Sequence, residues 1–381
     1  MKKLAYRLIL LAGMCAAMSC RPSAENVENV APEKYKIIGY IAGWKGVDTS
    51  LIHADKLTHI NYAFANVIDG KVREGEGREE QDKANLALLR SLKGKNPDLK
   101  ILISVGGWTW SKGFSDAVLT PEGRKAYTAS AIEYLIRHDL DGLDFDWEYP
   151  ALPGDNNPYR PEDRENFVSM LQSVRHALDS LTRVTGKPYL QTIATGGFTE
   201  FVEVNNLGEA QKYLDFINIM TYDFIVQSVR DTTGHHTNLF ASKYSNRSAS
   251  KAVDEHIQAG VPASKLVMGM AFYGRSWESV NPENNGLGQT GKGAKGYPFL
   301  EISELMKNPD FSRHWDEEAQ APYLWNAKDS IFVTFEDPQS LEAKVKFIKE
   351  KGLAGGMFWE YHEDSKDRTL LTALYKAFQS Q

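Results

Sequence analysis

The chain has 381 residues, 42% of them hydrophobic and 25% charged, which suits one large or two medium globular domains and excludes a disordered or membrane-filling chain. Its formal net charge is −6, against a nucleic-acid partner, because phosphate binding needs a basic face; ordinary solubility explains that balance equally well. The 17 Tyr, 17 Phe and 8 Trp are enough to line a binding cleft as well as a core.

Residues 1–20 read as a leader. Lys2, Lys3 and Arg7 precede an apolar stretch, Leu8 to Met18, too short to span a bilayer. The following Ala17-Met18-Ser19-Cys20 resembles a bacterial lipoprotein signal, in which Cys20 becomes the acylated first residue. Met18 departs from the usual box, so plain secretion is the alternative. The expectation is an exported protein at the cell envelope, held to a membrane only through Cys20. Cys15 and Cys20 are the only cysteines, so cleavage before Cys20 leaves the folded body without disulfide or thiol chemistry. Residues 21–34, with Pro22 and Pro32, read as a tether.

From Tyr35 onward eight strand-like runs follow, at 36–43, 57–65, 100–105, 142–147, 189–195, 216–221, 266–272 and 354–359. Amphipathic helical patterns at 81–92, 121–138, 161–181, 207–214, 249–259 and 338–350 lie between them, and 368–378 closes the chain. Pro121 and Pro161 stand at favoured first-turn positions, and Gly260 and Gly352 where helix C-caps are expected. Eight alternating units imply a parallel sheet closed as a (β/α)8 TIM barrel, here 35–274 and 338–381. Residues 275–337 are too long for a βα loop and too rich in Trp and Phe to stay in water. They read as a small α+β insertion domain between strand seven and helix seven, with strand-like pieces at 323–325 and 331–335 and a helical piece at 302–306. The loop 149–160, with Pro150, Pro153 and Pro158, reads as stiff and exposed.

The most informative run is Asp141-Gly-Leu-Asp144-Phe-Asp146-Trp-Glu148-Tyr-Pro150. On a strand, Asp144, Asp146 and Glu148 share one face while Phe145 and Trp147 take the other. Neighbouring carboxylates on that face are about 6.5 Å apart at Cβ, and like charges so close raise one another's pKa. At least one carboxyl should then stay protonated near neutrality, which is how a general acid is made. Barrel sites gather at the C-terminal strand ends, which adds Tyr222 and Asp223 on strand six and Trp359 on strand eight. Ser104-Val-Gly106-Gly107-Trp108 ends strand three, where the paired glycines let the backbone approach strand four.

Asp141 to Glu148 matches the D-x-x-D-x-D-x-E signature of family-18 glycoside hydrolases, the chitinase family. Ser104 to Gly107 resembles that family's S-x-G-G element and Met220-Thr-Tyr222-Asp223 its M-x-Y-D. The segments 268–275, ending Tyr273-Gly274-Arg275, and 355–361, through Trp359, resemble its strand-seven and strand-eight endings. An inserted α+β domain at this point marks the chitinase-like branch. The resemblance implies substrate-assisted retaining hydrolysis of β-1,4 links between N-acetylglucosamine units, with no cofactor and a carbohydrate as partner. Two-carboxylate retaining enzymes need their carboxyls about 5–5.5 Å apart across the sugar, and carboxylates stacked on one strand face cannot straddle it. The resemblance makes Glu148 the acid and later base, and sets Asp146 to orient the acetamido group and share a proton with Asp144. Tyr222 then holds the acetamido carbonyl, with Asp223, Met220, Trp108, Tyr149 and Arg275 around the sugar and Trp359 beneath it. Asp141, out of phase, joins Gly106 and Gly107 as structural.

Several readings compete. A lone D-x-D also suits a solvated strand edge or a divalent cation, but no histidine follows it at ligand spacing, so no metal is expected. Tyr40 and Phe64 either line the pocket or pack the core, and Trp44, Trp108, Trp277, Trp315 and Trp325 are either sugar platforms or packing. His235 and His236, in a polar loop, read as surface. The alternatives to a chitinase are an endo-β-N-acetylglucosaminidase acting on N-glycans, a hydrolase of peptidoglycan-derived sugars, and a non-catalytic chitin-binding lectin; Glu148 speaks against the last.

Overall fold

Apolar strands separated by single helices bury both faces when the strands lie side by side in parallel with the helices outside. The computed structural model describes residues 35–380, so the leader, Cys20 and the tether lie outside the described residues. In chain order the strands are β1 (Lys36–Ala42), β2 (His59–Ile68), β3 (Lys71–Arg73), β4 (Lys100–Gly106), β5 (Gly142–Asp146), β6 (Leu190–Gly196), β7 (Phe216–Met220) and β8 (Leu266–Ala271). There follow β9 (Tyr273–Glu278), β10 (Lys292–Pro298), β11 (Ser312–Asp316), β12 (Ala321–Asn326), β13 (Ile331–Thr334) and β14 (Gly355–Trp359). Parallel pairing runs β1-β14-β8-β7-β6-β5-β4-β2, and β1 also pairs with β2, so eight strands close a barrel. The expected (β/α)8 architecture is the one observed.

Helices Glu79–Ser91, Pro121–Arg137, Asp163–Thr185, Ala249–Gln258, Pro338–Lys351 and Thr369–Gln379 fall on the expected segments. Among the described residues no helix is long and apolar enough to cross a membrane. Thr120 caps Pro121–Arg137 by accepting from the Gly123 amide, and left-handed Gly352 ends Pro338–Lys351. The helix expected from Pro161 starts at Asp163 instead, because the buried Asp163 carboxylate accepts from the Arg160 amide and Ser115 Oγ and holds the approaching turn. The pattern at 207–214 breaks into a short helix, Leu207–Ala210, and a 3-10 turn, Gln211–Tyr213.

β5 shows why the acid row alternates. Phe145 and Trp147 point into the layer between strands and helices, where Trp147 stacks on Phe114 at 5.0 Å and meets Phe167 edge-on at 5.9 Å. Aromatic burial of this size anchors the strand and forces Asp144 and Asp146 to the barrel interior. The loop 149–160 is less exposed than expected: Pro150 and Asn157 are buried, and Asn157 Nδ2 donates to the Glu148 carbonyl at 2.7 Å.

Between β8 and the helix Pro338–Lys351 stands an antiparallel sheet in the order β10-β9-β13-β12-β11. It begins at Tyr273, two residues before the expected boundary at 275. Trp277, Tyr323, Trp325 and Phe332 pack its own core together with Ile225, Val280 and Leu287. The polar loop after β7 runs beneath this sheet, and so His235 and His236 are fully buried, not on the surface. His235 Nε2 lies 3.1 Å from Asp316 Oδ2 on β11, and His236 packs on Tyr273 at 5.2 Å. The loop's composition is that of a surface segment, but the cover comes from residues some 80 positions away. At the same junction a fully buried ion pair, Lys344 with Glu336, is completed by the Thr237 and Ser340 hydroxyls.

Candidate active site

Parallel closure brings the C-terminal ends of all eight strands around one mouth. A cavity of about 260 Å³ opens there, lined by Tyr40, Phe64, Trp108, Asp146, Glu148, Met220, Tyr222, Asp223 and Trp359, with Trp44, Thr109, Trp110, Ala194 and Tyr273. A larger hollow of about 760 Å³ lies between helices Pro121–Arg137 and Asp163–Thr185, and its lining includes no carboxylate. Asp146 and Glu148 line the smaller one.

The three carboxylates of the row have different surroundings. Asp144 is held by four donors: Tyr40 Oη and Ser104 Oγ at 2.8 Å, Thr192 Oγ1 at 2.6 Å and Asn218 Nδ2 at 3.3 Å. Burial raises its pKa and those hydrogen bonds oppose the rise. The expected proton sharing with Asp146 is not seen as a hydrogen bond, since the donors to Asp144 come from β1, β4, β6 and β7. Asp146 is buried, and its Oδ1 has no hydrogen-bond partner. Burial first, then the charges of Glu148 and Asp144, push its pKa well above the ordinary carboxyl range. Glu148, two residues beyond the end of β5, is pushed up to about 8, by burial foremost and with the Asp223 charge adding. At neutral pH it carries its proton.

Asp141 sits at the opposite end of β5. It accepts from the Ile101 amide at 2.8 Å and pairs with Lys93 at 2.6 Å and Lys187 at 3.1 Å. Burial alone would raise its pKa; these partners outweigh burial and lower it. This acid fastens β4 to β5 away from the cavity.

Gly106 and Gly107 both have positive φ. A Cβ on Gly106 would stand 2.3 Å from the Asp146 carbonyl, and one on Gly107 2.5 Å from the Phe64 ring, so the close approach requires glycine. Buried Ser111 then ties the strand ends together: its Oγ reaches the Gly107 and Asp146 carbonyls at 2.8 and 3.1 Å and accepts from the Glu148 amide at 3.0 Å. Sequence reasoning missed Ser111, because nothing in its local pattern distinguishes it from a loop serine.

Across the cavity, Tyr222 keeps its phenol proton, since burial and the nearby acids raise its pKa. Asp223 accepts from Arg275 Nε at 2.8 Å and pairs with its second nitrogen at 2.6 Å. His236 Nδ1 stands 3.6 Å from the same carboxylate. Enclosure works to raise the Asp223 pKa, but His236 and Arg275 hold it below the ordinary value. Asp223 is thus the ionised neighbour of a protonated Glu148. Trp359 forms the floor, stacked on Phe64 at 5.5 Å and contacting Tyr40 at 5.7 Å. Trp108 (50% exposed) and Trp44 (39%) stand at the rim, whereas Trp277 and Trp325 are buried in the second sheet's core. Tyr149 packs on Phe198 and Phe201 beside Trp108. The peptide bonds before Phe64, Tyr149 and Glu360 are cis. Trp110 and Ala194 join the lining although no motif marks them, and so does Tyr273, which lies in the strand-seven segment but is not among the expected site residues; Trp110 follows Trp108 at a spacing of two, the one sequence hint that both reach the same mouth. Among the described residues no group of three His, Cys, Asp or Glu side chains is placed to hold a metal ion.

Comparison with known proteins places this geometry. The profile of the Glycosyl hydrolases family 18 matches residues 36–364. Chitinase A1 of Niallia circulans is 34% identical over 414 positions, a match that takes in 90% of this chain and 58% of that protein, so the chain spans under two thirds of that relative's length. Chitotriosidase-1 of Mus musculus is 33% identical over 348 positions, with 85% of this chain and 72% of that one covered. Among solved structures, a glycoside hydrolase family 18 N-acetylglucosaminidase from Paenibacillus barengoltzii superposes with a TM-score of 0.83 at 39% identity, over 90% of this chain and 99% of that one. With the profile spanning nearly the whole of the described barrel and its insertion, the chain belongs to glycosyl hydrolases family 18.

Proposed function

We propose that the protein hydrolyses β-1,4 links of N-acetylglucosamine chains, chitin or its oligomers, with the substrate's own acetamido oxygen as nucleophile. The observation that carries this reading is the buried Asp146 carboxylate, one oxygen of which has no partner, beside a Glu148 that holds its proton. A buried acceptor left open is costly unless a ligand fills it, and an acetamido N–H supplies the missing donor. The relatives named chitinase A1 and chitotriosidase-1 favour a chitin-type substrate.

In this reading the sugar lies on Trp359. Glu148 gives its proton to the leaving oxygen as the C1–O bond breaks, and the acetamido oxygen closes on C1 from the opposite face. Asp146 passes its proton to Asp144, with which it shares it, and its carboxylate then binds the acetamido N–H and offsets the positive charge of the resulting oxazolinium ring, while the Tyr222 phenol donates to the acetamido oxygen. The glutamate anion then takes a proton from water as that water opens the ring at C1, which returns Glu148 to its starting state and leaves the β anomer. Asp223, fixed by Arg275, and Met220 bound the sugar's other side. None of these steps calls for a cofactor. Export through the leader, with acylated Cys20 as the only membrane anchor, is part of the same proposal; the mass of the mature N-terminus tests it.

Product mass spectrometry with chitohexaose and with a high-mannose glycoprotein, on wild type and Glu148→Gln in parallel, tests the substrate. Shorter chito-oligomers from wild type alone support the proposal. Glycan release instead moves the substrate to N-glycans and keeps the mechanism. Binding of the hexamer without cleavage by wild type contradicts the hydrolase and leaves a lectin.

A further inference from the structure

The two sides of the cavity are built differently, and this bears on where along a chain the enzyme cuts. On the Glu148 side, Trp108 meets only the edge of Tyr149, at 6.3 Å, and is the more exposed rim tryptophan. In a separate aromatic group around Trp359, which contacts Trp44 at 6.3 Å and Phe64 at 5.5 Å, Trp110 contacts Trp44 at 5.3 Å and Phe64 at 5.8 Å, with rings tilted by 44° and 47°. The Arg78 guanidinium lies over the Trp110 ring, 5.7 Å from its centroid, within cation–π range. Its two terminal nitrogens have no hydrogen-bond partner, so the ring is what it packs on. Gly75 makes room for it: a Cβ there would stand 2.1 Å from an Arg78 terminal nitrogen.

A row of platforms for a long sugar chain needs bare, roughly parallel faces. Trp110 is half-buried, with two tilted rings and a guanidinium against it, and so is a poor platform. The cavity it bounds holds about 260 Å³, room for a ring over Trp359. Direction follows from the acid. Glu148 protonates the leaving oxygen, so the leaving chain continues past Glu148 toward Tyr149 and Trp108, and the non-reducing side faces Trp44 and Trp110.

We infer that Trp110, braced by Arg78 and closed against Trp44, walls off the non-reducing side of the site, so that the enzyme takes chain ends and releases one or two sugars at a time. This rests on the hydrolase reading above. The test uses chitohexaose tagged at its reducing end with 2-aminobenzamide, and mass spectrometry of tagged products at low conversion. Wild type should give tagged pentamer and tetramer in excess of tagged trimer and dimer by about tenfold or more, the discrimination one steric contact supplies. Trp110→Ala should open the wall and bring that ratio toward one, and Arg78→Ala should move it the same way by less. Circular dichroism and residual hydrolysis confirm that the variants fold. Tagged trimer and dimer formed early by wild type overturn the inference and leave the hydrolase reading intact, as does an unchanged ratio in both folded variants. No product at all from folded wild type overturns both.

Discussion

Two sets of buried acids in this molecule solve the same problem in opposite ways. At the junction with the second sheet, Glu336 is fully buried and fully met: Lys344, the Thr237 hydroxyl and the Ser340 hydroxyl account for both its oxygens. At the barrel mouth, Asp146 and Glu148 are buried nearly as deeply, yet Asp146 Oδ1 has no partner and Glu148 keeps its proton instead of pairing. Native folds pair their buried charges because the penalty for leaving them alone is several kcal/mol. The mouth holds that penalty in reserve for a substrate, and the junction removes it. Burial alone therefore does not mark a site; burial with the partner withheld does.

The contrast can be broken at either end. The largest effect is expected from Glu148→Gln, which removes the proton donor and should lower kcat by roughly 10²–10⁴-fold, measured on a chromogenic chitobioside. The same variant should be more heat-stable near neutrality. The unfolded carboxyl ionises near 4.5 and the folded one near 8, so wild type loses stability as pH rises through that window. Calorimetry should give the variant an advantage at pH 7 that vanishes by pH 4. If the variant is instead less stable at pH 7, the mouth is not under the strain described. At the junction, Lys344→Met strands Glu336 and should cost about 3–5 kcal/mol in chemical denaturation, with activity per folded molecule unchanged. A negligible loss there would erase the distinction between the two regions. The smallest effect belongs to Asp223→Asn. Its charge adds to the raised Glu148 pKa, so the alkaline limb of kcat/KM should lie at lower pH in the variant than in wild type. It should not fall to the ordinary carboxyl value, because burial is the main cause of the rise. An alkaline limb that moves upward or stays put would remove Asp223 from that role.

The mouth is legible in the sequence for local reasons. A period of two fixes which side chains share a strand face, so the alternation by itself sets Asp144, Asp146 and Glu148 against Phe145 and Trp147. Barrel geometry then points to the strand ends carrying Tyr222, Asp223 and Trp359. What escapes depends on residues far apart in the chain. Asp144's four donors come from four strands, and the local pattern names none of them. His235 and His236 sit in a polar loop that only the second sheet covers. The Trp110 wall needs Arg78 and Trp44 to arrive from other loops, and Ser111 acts through backbone carbonyls that no side-chain pattern reveals. Strand and helix periods announce a face; they are silent about what is brought to meet it.

The mouth's defining property is a proton held on a buried carboxyl at neutral pH. Carbon-13 NMR titration of the side-chain carboxyls, with Glu148→Gln for assignment, measures this directly. A carboxyl titrating near pH 8 in wild type, and its loss in the variant, is the expected result. Because Asp146 and Glu148 interact, the midpoint is a property of the pair. If every carboxyl in the wild-type spectrum titrates below about pH 5, the ordinary range, the mouth holds no such proton and the general-acid assignment of Glu148 is contradicted.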